Sequence, residues 1–267
     1  MENINDAFIS AVLSDATYAL NDDVFPTSDP QDISDWLSER MAPELARYIG
    51  DNFTVVAHHK SSDYFDSGFD ATIWQRKNDG KYFVSMRGTQ GLMDFVTDAD
   101  LTVSGTATAQ VMDMVNWWLR ITTPEGEQAD QYAYLSSPNP DLGPVVVVKA
   151  PSVNGEGLIS NMGSVEVVGH SLGGHLATSF ARIFGNSLPL DGVSTFNSAG
   201  FNPLSGILFS QFKYLLGDDV SLSGYYTEQN NFYAENGISA THREVLNWEI
   251  GNLVPLYNEE STINWVA

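Results

Sequence analysis

The stretch Val165-Glu166-Val167-Val168-Gly169-His170-Ser171-Leu172-Gly173-Gly174 decides how the rest of the chain is read. Val165 to Val168 is a compact apolar run of strand length, and Leu172 to Phe184 continues as an amphipathic helix ending at Gly185. A G-x-S-x-G pentad between a strand and a helix is the sequence form of a nucleophile elbow. Each residue type has a physical reason. The serine occupies a sharp turn that lifts its hydroxyl above the sheet edge. Glycines at 169 and 173 remove Cβ atoms that would collide with the neighbouring strand and helix. The helix beginning at Leu172 presents backbone N–H groups, and the positive end of its dipole, to developing negative charge.

Working outward, the chain reads as helices, then an antiparallel hairpin, then strand–helix–strand units. Residues 7 to 20 repeat apolar positions at helical spacing behind Asp6, and a second helix is expected over Ile33 to Tyr48, ending at Gly50. The period then changes to two. Phe53 to His58, Ala71 to Arg76 and Tyr82 to Met86 read as strands, the last two joined by an Asn78-Asp79-Gly80 turn. A helix is expected over 107 to 120. A Pro/Gly-interrupted stretch follows from Thr122 to Gly163, with Val145 to Val148 as a short strand. After the elbow come a strand over Val193 to Asn197, an apolar helix over Leu204 to Leu216, and strands over Asn231 to Ala234 and Leu253 to Tyr257. Strands without strict polar alternation, separated by helices, predict a mostly parallel central sheet with helices on both faces and an N-terminal antiparallel hairpin. No repeat or linker calls for a second domain, so residues 1–267 are read as one.

Composition narrows the function classes. An apolar fraction of 43% is enough for a packed core. The formal charge of −22, from 34 acidic and 12 basic residues, repels polyphosphate and argues against nucleic acid. It also disfavours anionic membrane surfaces, leaving a transient contact with a lipid interface as the membrane role to consider. With no cysteine, neither disulfides nor thiol chemistry are available. The N-terminal Met1-Glu2-Asn3-Ile4-Asn5-Asp6 has no basic region followed by an apolar run, so no Sec-type signal is expected. No apolar run is long enough to span a membrane.

Upstream, the strand Tyr82 to Met86 runs into Arg87-Gly88-Thr89, with Asp94 and Asp98 shortly after. The end of an early strand is where such folds supply a second oxyanion donor, which assigns the Thr89 N–H to that role beside the Leu172 N–H. For Arg87 and Asp98 a structural ion pair is the simpler expectation. Together, Met86-Arg87-Gly88-Thr89 and Gly169-His170-Ser171-Leu172-Gly173-Gly174 resemble the class 3 (triacylglycerol) lipases of the α/β-hydrolase fold. The segment Thr195-Phe196-Asn197-Ser198-Ala199-Gly200-Phe201 is similar to the post-elbow strand and loop of lipase-like domains in large secreted bacterial proteins. The resemblance covers roughly residues 80 to 237. It implies a carboxylic ester substrate, an acyl lipid foremost, and a secreted location. The Gly/Asp-rich nonapeptide repeats of some such exporters are absent.

Chain order in this fold is serine, acid, histidine. Glu235, directly after the strand 231–234, is the candidate acid, with Asp218, Asp219 and Glu228 as alternatives. His242 is the candidate base. His58 and His59 lie on an early strand, His170 points away from the hydroxyl, and His175 is read as packed or solvent-facing. Glu235 and His242 are close in sequence for two successive loops, and two readings stay open: His242 folds back as the base, or the usual base is missing from a truncated or inactive chain. The run 203–220 is a candidate lid, with Trp117 and Trp118 as possible cleft residues; ordinary core packing is the simpler reading of each. No cofactor is required, and Asp94 with Asp98 is thin support for calcium. A catalytically silent lipid- or partner-binding module and an acyl transferase on the same scaffold are the alternatives to an ester hydrolase.

Overall fold

The computed structural model describes residues 4–20, 24–61, 67–88, 106–136, 145–159, 162–201, 205–217, 220–221, 229–234 and 250–257. In chain order these form helices α1 (Ile4–Ala16), α2 (Pro30–Leu37) and α3 (Pro43–Asn52), then strands β1 (Phe53–His59), β2 (Ala71–Arg76) and β3 (Tyr82–Met86). Helix α4 (Thr106–Thr122), strands β4 (Gln128–Ser136) and β5 (Val145–Asn154), and the elbow pair β6 (Val165–His170) and α5 (Leu172–Phe184) follow. The chain continues through β7 (Leu190–Phe196), α6 (Ser205–Leu216), β8 (Gln229–Ala234) and β9 (Asn252–Leu256).

Seven strands make one sheet in the order β1-β2-β3-β6-β7-β8-β9. The β1–β2 and β2–β3 pairs are antiparallel, and every pair from β3 to β9 is parallel. The C-terminal ends of β3, β6, β7, β8 and β9 therefore open on one edge. The β2–β3 hairpin turns at Gly80, whose φ of 73° is the left-handed value that its Asp-Gly turn requires.

Period-two alternation sends the strand side chains to two separate cores. Phe53, Val55, Trp74, Phe83 and Val168 pack with α1, α2 and α3 on one face. Ile73, Val84, Met86, Val165 and Val167 pack with α4, α5 and α6 on the other. Where α1 crosses the sheet the contact is polar as well as apolar. The buried Glu166 carboxylate accepts from Ser10 Oγ at 2.8 Å, Lys81 Nζ at 2.6 Å and Ser194 Oγ at 3.1 Å. Thr17 donates to Ser85 Oγ at 2.7 Å, and Ser85 to the Leu13 carbonyl at 2.8 Å. A buried carboxylate is tolerated because its acceptor sites are occupied by donors.

Two expectations are corrected. The helix expected over Ile33 to Tyr48 is two helices, because Pro43 lacks the N–H an interior position needs and instead starts α3. The stretch 122–163 holds a second sheet, in which β4 pairs antiparallel with β5. The short strand expected at Val145 runs on to Asn154. Trp117 and Trp118 are buried in the core, the Trp118 ring edge-on to Phe180 at 4.6 Å. Phe180 is completely buried between Trp118 and Phe184, so Phe180→Ala should lower the unfolding free energy by about 3–5 kcal/mol. Urea titration checks this. A loss under about 1 kcal/mol would mean that α5 is not anchored through this ring.

Candidate active site

At the end of β6 the backbone turns sharply at Ser171, whose φ of 57° and ψ of −124° lie outside the regions an L-residue ordinarily occupies. Sheet and helix hold this conformation from both sides. The Ser171 N–H donates to the Phe196 carbonyl at 2.9 Å, extending the β6–β7 ladder by one rung. The Ser171 carbonyl accepts from Gly174 N–H at 3.0 Å in the first turn of α5, and from Ala199 N–H at 3.1 Å in the loop after β7. A strained residue persists where its surroundings over-determine it. Ser171 is buried.

The two glycines of the pentad are there for space. A Cβ on Gly169 would sit 2.2 Å from the Gly173 carbonyl oxygen, and one on Gly173 would sit 2.2 Å from the Met86 oxygen of β3. The start of α5 thus rests directly on the end of β3. A Cβ on Gly88 would lie 3.2 Å from Leu172 N and 2.8 Å from the His170 oxygen. The chain leaving β3 therefore passes beside the Leu172 amide, which opens α5 and has no intrahelical acceptor. Gly88 is the last described residue there. Thr89, Asp94 and Asp98 lie outside the described residues.

Two groups brace this junction. Tyr18, in the turn after α1, accepts a hydrogen bond from the Gly88 N–H at 3.0 Å, and its hydroxyl meets His170 Nδ1 at 3.2 Å. Burial raises the Tyr18 phenol above its usual range and depresses the His170 imidazole, so both are neutral near pH 7. The His170 ring lies edge-on to the Tyr18 ring, with centroids 6.0 Å apart. Arg87 supplies the second brace. Its Nη1 meets Asp70 Oδ2 at 2.6 Å with both side chains buried, and its N–H donates to the Asp70 carbonyl at 3.0 Å. The described partner of Arg87 is thus Asp70; the expected partner Asp98 lies outside the described residues. Nothing in the sequence between Asp70 and Arg87 marks that pair.

The other described histidines, His58, His59 and His175, have local partners. His58 Nδ1 meets Thr72 Oγ1 at 2.9 Å, and His59 lies against Phe69 and Trp117. His175 stacks on Phe201 at 4.2 Å, with Nδ1 3.3 Å from the Gly200 carbonyl. Burial is the largest cause that brings its pKa down to about 4. Beyond the elbow, β8 ends at Ala234 on the Ser171 edge of the sheet. Glu235 and His242, and the alternatives Asp218, Asp219 and Glu228, lie outside the described residues. In the 203–220 run, Leu208, Phe209 and Phe212 of α6 are buried. Ile207 and Leu215 face Val146 and Val147 of β5 across an apolar groove of about 350 Å³. Gln211 bridges the two elements, accepting from Val147 N–H at 2.6 Å and donating to the Val145 carbonyl at 3.0 Å.

Solved structures share this fold. A mutant form of MDLA from Penicillium cyclopium superimposes with a TM-score of 0.52 at 12% identity, over 98% of this chain and 83% of that one. A fungal lipase superimposes with a TM-score of 0.50 at 14% identity, over 95% of this chain and 80% of that one. The fold is that of the α/β-hydrolases. No family model and no curated protein matches the chain. Within the α/β-hydrolase fold, Ser171 stands at the strand–helix elbow and the end of β3 runs beside it. Among the described residues no cluster of metal-ligating side chains occurs, and no helix is long and apolar enough to cross a membrane.

Gly173→Ala should cost at least about 2 kcal/mol, because the colliding atom is backbone and cannot rotate away. Denaturant unfolding checks it, and a neutral result would refute the close approach of α5 to β3. His175 gives a pH signature. Its folded pKa of about 4 lies below the unfolded value of 6.5. Its contribution to stability is therefore complete above pH 6.5 and is lost as pH falls through 4. Thermal midpoints measured across that window should fall less steeply in His175→Phe than in the parent chain; parallel curves would contradict the buried neutral ring.

Proposed function

We propose that this chain is a serine hydrolase that cleaves carboxylic esters, acyl lipids foremost, through an acyl-enzyme on Ser171. The observation that carries the reading is the Ser171 backbone, held at positive φ between β6 and α5 with the end of β3 alongside. A serine in this position presents its hydroxyl next to the Leu172 amide at the positive end of a thirteen-residue helix.

In the proposed cycle His242 takes the Ser171 proton as the oxygen attacks the ester carbonyl. The N–H groups of Leu172 and Thr89 hold the oxyanion, and Glu235 orients the imidazole and stabilises its charged form. His242 then returns the proton to the leaving alcohol, and water resolves the acyl-enzyme by the reverse sequence. Thr89 is supported by its place directly after Gly88, which lies against Leu172. Glu235 is supported by following β8, whose end opens on the Ser171 edge. His242 is supported by chain order alone. We read residues 1–267 as one such domain, with 203–220 as a lid element that would have to move as a unit, since α6 has both a buried face and the apolar groove against β5. The acidic composition suits a heavily hydrated secreted protein, and its charge keeps any contact with a lipid interface transient.

p-Nitrophenyl esters of increasing acyl length should be hydrolysed, with Ser171→Ala reducing kcat/KM roughly 10³-fold or more. His242→Ala and Glu235→Gln should each lower kcat. No turnover by the parent chain would sink the hydrolase reading in favour of a silent binding module. Turnover surviving Ser171→Ala would remove the assigned nucleophile, and an unchanged rate in His242→Ala would move the base elsewhere.

A further inference from the structure

Among the described residues, two non-glycine positions have positive φ: Ser171 at 57° and Asn197 at 44°. They stand on the same rung of the sheet. The parallel register sets His170 opposite Phe196 and Phe196 opposite Phe232, so Ser171 and Asn197 are each the first residue past that rung. Each extends the ladder with its own amide. Ser171 N–H donates to the Phe196 carbonyl at 2.9 Å, and Asn197 N–H donates to the Phe232 carbonyl at 2.7 Å. The Asn197 side chain then reaches one step further, its Oδ1 accepting from Ala234 N–H at 3.1 Å. Two residues on, the Ala199 N–H returns to the Ser171 carbonyl at 3.1 Å.

A left-handed turn suits glycine best, and asparagine is among the few L-residues that enter it readily. Here the asparagine brings something glycine lacks: an acceptor for the last amide of β8. The loop after β7 is thereby tied to the elbow by Ala199 and to the exit of β8 by Asn197. Phe196 and Phe232 stack beneath it at 5.2 Å, so the two strands stay packed independently of that hydrogen bond.

We propose that Asn197 is a positioning residue, which fixes where the chain leaves β8, and so where the segment beginning at Glu235 starts, relative to Ser171. The proposal rests on the hydrolase reading above, in which the carboxylate after β8 orients the base. Its chemistry is indirect: Asn197 touches no reacting atom and acts through the direction of the Ala234 peptide.

Two variants separate this role from simple packing. Asn197→Gly keeps the left-handed backbone and removes the acceptor; Asn197→Asp keeps an acceptor at the same reach. Amide exchange of the peptide covering 229–236 should speed up in Asn197→Gly and stay near the parent in Asn197→Asp. With a p-nitrophenyl ester, Asn197→Gly should lose about 10- to 100-fold in kcat with KM little changed. The acid limb of its pH–rate profile should move to lower pH, because an imidazole without an oriented carboxylate is less basic. Asn197→Asp should restore most of both. Unchanged exchange in Asn197→Gly would overturn the claim that Asn197 fixes the β8 exit. Faster exchange with unchanged kcat and pH profile would overturn the positioning role alone. Absence of turnover in the parent would overturn the hydrolase reading, and the positioning role with it, while the exchange result still reports on the hydrogen bond.

Discussion

The contact between the first turn of α5 and the end of β3 constrains everything around it. Gly173 lies so close to the Met86 carbonyl that even one methyl group would overlap it at 2.2 Å. Because the helix sits that low, Ser171 must bend into positive φ to connect strand to helix, and Gly169 must give up its own Cβ to let the helix backbone pass. The same approach brings Gly88 beside Leu172 N. Ser171, helix N-terminus and strand end converge as a consequence of close packing between backbones, which no side chain has to mediate.

That convergence is braced from the side opposite α5. Helix α1 packs across the sheet, and the turn after it delivers Tyr18 to the Gly88 amide and the His170 ring. The Arg87–Asp70 pair ties the end of β3 to the start of β2 with both charges buried. Removing one partner of such a pair leaves an uncompensated buried charge, so its structural value lies in holding one arrangement more than in net stability. The buried Glu166 network does comparable work at the other end of the strands, joining α1 to β3, β6 and β7.

Several elements were legible in the sequence because their signals are contiguous. The strand β6, the elbow and α5 lie within twenty residues and follow from apolar runs and glycine placement. The β2–β3 hairpin follows from its Asp-Gly turn. Strand β4 was not legible: its pairing with β5 shifts between Ala129 and Gln131, and that bulge breaks the two-residue alternation by which strands are recognised. The division of the second helix at Pro43 could have been read, since an apolar period that runs through a proline is still interrupted by the missing N–H.

By itself, the sequence determined that this chain has a sharp strand-to-helix turn at Ser171 and a sheet mostly of parallel strands, because conformations demanded by Gly-x-Ser-x-Gly and by hydrophobic period are settled over a few neighbouring residues. Tertiary structure alone decided that Arg87 answers to Asp70, that Tyr18 reaches the amide of Gly88, and that Asn197 accepts from Ala234. Those pairings join residues from 17 to 70 positions apart. They depend on strand order and register, and a contact set by register leaves no periodic trace in the residues that make it.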